Sequence, residues 1–177
     1  MESLYLEGRI TLTDLHSVYE ALFLRALTGF EVFLENLFFS ILGGKAKYPK
    51  SRVSVRMTPS SSKALSEIIH QGDKYLKWIP FDNTEKRARL YLNGGRPFSE
   101  LDDAGKLTIR TVTTIRNAIA HNSPHALKQF KTKIIGSAFL LRSEKRPAGY
   151  LRSQVNPTQK RFEVYVIELA RIASDLC

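Results

Sequence analysis

The chain has 177 residues, of which 43% are hydrophobic and 25% charged, and its formal net charge is +10. This length and composition predict one globular domain over residues 1–177, and no apolar run is long enough to span a bilayer. The only cysteine is the last residue, Cys177, which excludes an internal disulfide framework and a cysteine metal site. No secretory signal begins at Met1, so we expect a cytoplasmic protein.

The hydrophobic pattern predicts an all-α fold, a helical bundle with a long N-terminal helix and basic irregular loops. The long helix runs from Thr13 to about Leu42, and the pair Gly43-Gly44 is a helix stop signal. A basic loop with a short extended piece at 52–57 follows it. Further helices are predicted, in chain order, at 60–70, from Asp82 or Asn83 to 92, from Ser99 or Asp102 to 121, at 124–131 and at 157–176, with irregular segments at 75–81 and 136–155.

One acidic residue of the long helix occupies an apolar surface. Around Glu31, at helical spacing, the neighbours are apolar: Leu24, Leu27, Leu34 and Phe38. A carboxylate buried there is costly unless it is paired. We therefore predict a contact between Glu31 and Arg116, which orients the guanidinium. The alternative is a glutamate at the rim of the core that faces another cation.

Positive charge is concentrated in two loop-like segments. Residues 45–63 carry six cations and no acid, and residues 122–161 carry nine cations against Glu144. Such a distribution is typical of a surface that binds a polyanion, although lysine-rich loops also serve solubility alone. The candidate nucleic-acid-binding residues are Lys45, Lys47, Lys50, Arg52, Arg56, Lys128, Lys131 and Arg146.

The most informative motif runs from Arg116 through Asn117 to His121, at the end of a predicted amphipathic helix. Arginine binds phosphate through its forked cation, and histidine exchanges a proton near neutral pH. Asn117 and His121 lie about 40° apart on one helical face, whereas Arg116 lies roughly 140° from His121. Either Arg116 curls round on its long stem, or a second copy of the chain completes the site.

The segment after the motif defines where the helix ends. Ser123 and Pro124 are an N-cap and a first helical residue, so the helix that carries His121 should stop within a residue or two. The free carbonyl groups at that end favour the charged imidazolium. His121 is therefore suited to act as a general acid.

Two other classes of site are excluded by spacing. The four histidines do not form a zinc-binding pair, because Pro124 breaks the helix that would align His121 with His125. The chain has no phosphate-binding loop of the kind that ends in Gly-Lys-Ser or Gly-Lys-Thr, which argues against a phosphotransferase. We expect neither a metal nor another cofactor.

The long helix with an embedded glutamate, followed by Arg-Asn-x-x-Ala-His at the end of a later helix, resembles the HEPN superfamily (higher eukaryote and prokaryote nucleotide-binding). The resemblance extends from about Leu12 to Leu176, and three flanking segments point to the RiboL-PSP-type branch: residues 77–80, 94–98 and 146–151. It implies a metal-independent endoribonuclease that acts as a homodimer, often as a toxin or defence effector. By position, Arg116, Asn117 and His121 take the family motif, and Glu31 is inferred to be a supporting residue.

The chemistry of these residues fits RNA cleavage, because RNA supplies the attacking 2′-hydroxyl itself. Arg116 would bind the phosphate, His121 would move a proton, and Asn117 would orient the imidazole or contact the phosphate. One histidine cannot easily make both proton transfers, so a dimeric site is expected. Four aromatic residues are candidates for base stacking: Tyr48, Tyr75, Trp78 and Tyr150. Of these, Tyr75 and Trp78 are favoured as core residues.

Two rival hypotheses remain open. The chain is alternatively a non-catalytic module that binds nucleic acid or a protein, with Arg116 and His121 serving the fold; burial of His121 would favour this reading. A third hypothesis, which sequence does not separate from the first, is a toxin whose exposed site is masked or modified by an antitoxin protein.

Overall fold

The computed structural model describes residues 1–46, 53–56, 61–70 and 74–177. The all-α prediction is confirmed, since 72% of the structure is helix and 4% is strand. None of the helices in these described ranges is long and apolar enough to cross a membrane.

The described residues form eight α-helices and one small antiparallel hairpin. The helices are α1 (Glu2–Leu6), α2 (Leu12–Leu42), α3 (Ser62–His70), α4 (Phe81–Tyr91), α5 (Asp103–His121), α6 (Pro124–Phe130), α7 (Pro147–Arg152) and α8 (Arg161–Leu176). A π-helical turn, Lys131–Ile135, directly follows α6. The hairpin pairs β1 (Gln154–Asn156) with β2 (Gln159–Lys160).

Interactions and conformations of nearby residues define both ends of the long helix α2. At its start, Thr11 and Asp14 cap each other reciprocally: the backbone N–H of Thr11 donates to Asp14 Oδ2 at 2.9 Å, and that of Asp14 donates to Thr11 Oγ1 at 3.1 Å. At its end, Gly44 has a φ of +68°, a left-handed conformation that glycine adopts without steric cost. The predicted bounds of the long helix are thereby confirmed.

Two predictions for the C-terminal third of the chain are wrong. The segment 136–155 was expected to be irregular, but it contains α7 and β1, and α7 is buried. The closing helix begins at Arg161 and not at Pro157, because Asn156 Oδ1 accepts a hydrogen bond from the N–H of Thr158 at 3.0 Å and forms a turn. The Asn-Pro pair therefore closes the hairpin and does not cap a helix.

Residue contacts group the chain into two compact units. The first unit comprises Met1–Thr28 and Thr111–Leu169, and the second comprises Gly29–Arg110 and Ala170–Cys177. The prediction of a single domain stays a prediction.

The second unit has an aromatic core around Phe38. The ring of Phe38 lies 5.2 Å from that of Trp78 and 6.0 Å from that of Phe98, measured between centroids. Trp78 is 2% exposed, which confirms it as a core residue, whereas Tyr75 is 83% exposed, so its assignment to the core is wrong.

The first unit contains a second aromatic cluster. The rings of Phe130 and Tyr150 meet edge to face at a centroid distance of 5.7 Å, and the guanidinium of Arg161 covers Tyr150 at 4.7 Å. Tyr150 is thus buried and committed to packing, so it is not available to stack on a base. The other aromatic candidate, Tyr48, lies outside the described residues.

Candidate functional site

The second half of α5 separates an apolar face from a polar one. Ile109, Val112 and Ile115 are fully buried, which anchors the helix in the core. Asn117 lies one helical turn before His121, and the two share the opposite, polar face. His121 is the last residue of the helix and is exposed. The motif residues are therefore held on a helix whose other face is fixed by packing.

The turn after His121 reverses the chain within two residues. Asn122 has a φ of +43°, a left-handed conformation that asparagine tolerates better than most residues. Ser123 then caps α6, because its Oγ accepts a hydrogen bond from the N–H of Ala126 at 3.2 Å, and Pro124 is the first helical residue. The predicted helix stop, N-cap and first-turn proline are all confirmed.

This turn forms one wall of an open cavity of about 420 Å³. All residues that line it belong to the first unit. They come from the polar face of α5, the turn, α6 and the π-helical turn: Thr114, Asn117, His121, Ser123, His125, Ala126, Gln129 and Lys133. The cavity has a volume typical of ligand-binding sites, and its polar lining includes three residues that can be cationic.

Arg116 does not itself line this cavity, but it binds Asn117, which does. The side chain is half-buried, and its Nη1 donates a hydrogen bond to Asn117 Oδ1 at 3.1 Å. The guanidinium is thus directed toward Asn117 on the polar face, and the choice between a single-chain site and a site completed by a second copy stays open. Asn117 Oδ1 holds Arg116, and its contact with the imidazole or with a phosphate stays a prediction.

Glu31 is half-buried on α2, and two of its apolar neighbours at helical spacing, Leu27 and Leu34, are fully buried or nearly so. Half-burial fits both the embedded carboxylate and the glutamate at the rim of the core. Glu31 belongs to the second unit and Arg116 to the first. The Glu31–Arg116 contact and the supporting role of Glu31 stay predictions.

The predicted nucleic-acid-binding residues fall into three groups. Lys45 and Arg56 are exposed in the second unit. Three others are exposed in the first unit, namely Lys128, Lys131 and Arg146. The remaining candidates lie outside the described residues: Lys47, Lys50 and Arg52. Exposure leaves the five described cations accessible to a polyanion.

Part of the second basic segment is neutralised internally. Arg152 donates to both carboxylate oxygens of Glu2, through Nε and Nη2, each at 3.1 Å, and Lys160 Nζ also binds Glu2. Tyr19 completes the cluster by donating to Glu2 at 2.8 Å. Burial alone would raise the pKa of Glu2, but the hydrogen bonds from Arg152, Lys160 and Tyr19 outweigh it and lower this pKa to about 2. Arg152 and Lys160 therefore stabilise the fold, and the charge count of the segment overstates its surface charge.

Sequence reasoning missed two residues of the cavity. Pro124 argues against a helical pairing of His121 with His125, and Lys133 is only one of the nine cations of the second basic segment. The helix break is real, but the tight turn brings His121 and His125 to the same cavity. The signal in the sequence is the short separation of the two histidines across the turn that Ser123 and Pro124 predict. In the described part of the chain, no group of three or more histidine, cysteine or acidic residues could hold a metal ion.

No family model matches the chain, and neither a curated protein nor a solved structure matches it. The resemblance to the HEPN superfamily therefore rests on the motif residues and on the order of the helices, and family membership stays a prediction.

Proposed function

We propose that this chain is a metal-independent endoribonuclease whose reaction takes place in the cavity at the end of α5. One observation carries the proposal: His121 is exposed in that cavity beside Asn117, and Asn117 binds the guanidinium of Arg116. A phosphate-binding cation and a proton-transfer group are thereby available to the same bound phosphodiester. The exposure of His121 also argues against the rival in which it only serves the fold.

In the proposed reaction the 2′-oxygen of RNA attacks the adjacent phosphorus. Arg116 binds the non-bridging phosphate oxygens and stabilises the charge that grows in the transition state. Asn117 holds the guanidinium in position. A general base takes the proton of the attacking 2′-hydroxyl, and His121 donates a proton to the leaving 5′-oxygen. The products are a 2′,3′-cyclic phosphate and a 5′-hydroxyl. Because side chains supply both charge stabilisation and proton transfer, the reaction needs no metal ion.

The exposed cations described above support RNA as the partner. Single-stranded RNA is attracted by a basic surface without regard to sequence, and its affinity falls as salt rises. A homodimer, a role as a toxin or defence effector, and control by an antitoxin protein belong to the same proposal and follow from the resemblance to the HEPN superfamily.

The test incubates purified protein with total RNA in the presence of EDTA. We expect cleavage by the wild type and at least a 100-fold loss of rate in Arg116→Ala. Arg110→Ala is the matched control, because Arg110 lies on the same helix, is exposed and pairs with Asp82 at 3.7 Å. Cleavage by Arg116→Ala at the wild-type rate would refute the assignment. RNA binding without any cleavage by the wild type would instead support the non-catalytic module.

A further inference from the structure

The cavity contains two histidines, and the proposed reaction as described uses one. His121 is the last residue of α5, and His125 is the second residue of α6. Both side chains are exposed and both line the cavity. The other two histidines of the chain lie elsewhere: His16 lines a different cavity, and His70 stacks on Phe39 at a centroid distance of 6.1 Å.

Cleavage of RNA by its own 2′-hydroxyl needs two proton transfers. A base removes the proton of the 2′-hydroxyl, and an acid protonates the 5′-oxygen. A single imidazole would have to accept one proton and donate another in the same step. In the dimeric site expected from the sequence, a second subunit supplies the second proton-transfer group. In the structure, a second imidazole lines the same cavity and lies only four residues further along the same chain.

We propose that His125 is the second proton-transfer group of this site and acts together with His121 of the same protomer. This inference rests on the proposed ribonuclease function. Neutral His125 accepts the proton of the 2′-hydroxyl while the bond between the 2′-oxygen and phosphorus forms. Protonated His121 donates its proton while the bond between phosphorus and the 5′-oxygen breaks. One proton is taken and one is given, so RNA yields its two products without water or a cofactor.

The local structure fixes the backbone that carries both histidines. The left-handed conformation at Asn122 and the cap formed by Ser123 determine how α6 leaves α5, and both helices pack into the core through Ile115 and Phe130, which are fully buried. A site held by two packed helices keeps reacting groups at a defined separation.

The charges around the two histidines suit a phosphodiester. Lys133 lines the cavity from the π-helical turn, and Asn117, another lining residue, binds the guanidinium of Arg116. No acidic residue is found among the described residues that line this cavity. Lys133 therefore supplies positive charge within the cavity, where a bound phosphate would meet it together with the two histidines.

The experiment measures single-turnover cleavage of RNA in EDTA across pH for the wild type, His121→Ala and His125→Ala, with His70→Ala as the control. We expect a bell-shaped profile for the wild type and for His70→Ala. His125→Ala should lose about 10²–10⁴-fold in rate together with one limb of the bell. Added imidazole should restore part of its rate, because position 125 is exposed and the free base can enter the cavity. A purely structural role would not produce that rescue.

The two proposals fail in different ways. If His125→Ala keeps the full rate and both limbs while His121→Ala is inactive, His125 is not the base and the ribonuclease proposal stands. If the wild type does not cleave RNA, both fall. Should His125→Ala melt at a lower temperature than the wild type, His125→Asn, which keeps a polar side chain of similar reach, takes its place in the same assay.

A mixing experiment tests whether the two histidines act within one protomer. His121→Ala and His125→Ala are unfolded and refolded together, so that any dimers exchange subunits. If both groups act in one protomer, neither mixed nor unmixed species has a complete site, and activity stays at the level of the single variants. Recovery of activity in the mixture would show that the pair is shared between subunits and would overturn the inference.

Discussion

The carboxylate of Glu2 offers a quantitative test of how the first unit is held together. Replacement by glutamine removes the charge that binds Arg152 and Lys160 but keeps the size of the side chain. The pKa of Glu2 is lowered to about 2, against 4.5 for a free carboxyl. This shift corresponds to a contribution of at most about 3 kcal/mol to the free energy of unfolding. Because the Glu2 side chain is 31% exposed, solvent screening reduces this contribution. We expect Glu2→Gln to lower the free energy of unfolding by about 1–2 kcal/mol at pH 7.

The sign of the pH dependence follows from the direction of the shift. The folded protein holds the proton of Glu2 less tightly than the unfolded chain does. The contribution of Glu2 to the stability of the folded protein is therefore fully present above pH 4.5, and it disappears as the pH falls from that value toward 2. At pH 3 less than half of the difference between the wild type and Glu2→Gln should remain.

Urea unfolding of both proteins at pH 7 and at pH 3 measures this difference, and thermal melting at pH 7 should show a drop of about 2–8 °C. Glu7→Gln is the control, because Glu7 is 55% exposed and pairs only with Arg9, at 3.5 Å, among the described residues. The control should stay within about 0.5 kcal/mol of the wild type. A deficit of Glu2→Gln that is equal at the two pH values would refute the electrostatic explanation.

The remaining predictions concern α7 and the cavity. A Cβ on Gly149 would lie 2.0 Å from the backbone oxygen of Ser143, so Gly149→Ala should lower the free energy of unfolding by at least about 2 kcal/mol. Gly29→Ala, on α2 with nothing within 4 Å of the added Cβ, should raise it by about 0.5–1 kcal/mol; urea unfolding compares the two. Lys133→Ala should weaken RNA binding and reduce the slope of log affinity against log salt by about 0.7, whereas Lys86→Ala, exposed on α4, should leave that slope unchanged in a filter-binding titration.

Local signals in the sequence were sufficient for much of the site. The amphipathic pattern of α5, its end at His121 and the cap at Ser123 each depend on residues close together in the chain, and all three predictions are confirmed. The capping role of Asp102 is of the same kind, since its Oδ1 accepts from the N–H of Gly105 at 2.7 Å. Such features are predictable because their partners lie within one helical turn.

Features that depend on distant or turn-mediated contacts were not predictable. Arg152 and Lys160 read as surface charge because Glu2, their partner, lies about 150 residues earlier in the chain. The segment 136–155 read as irregular because α7 is short and depends on burial against its surroundings. The place of His125 in the cavity does not follow from helical geometry, because a proline separates it from His121 and the direction of the turn decides which side chains meet.

The central claim is that the side chains of the α5–α6 cavity cleave RNA by internal attack of the 2′-hydroxyl. The most direct measurement identifies the ends of the fragments that purified protein releases from RNA in EDTA, for the wild type and for His121→Ala. We predict 2′,3′-cyclic phosphate and 5′-hydroxyl ends for the wild type and no cleavage by His121→Ala. Full cleavage by His121→Ala, or fragments with 5′-phosphate ends, would contradict the claim.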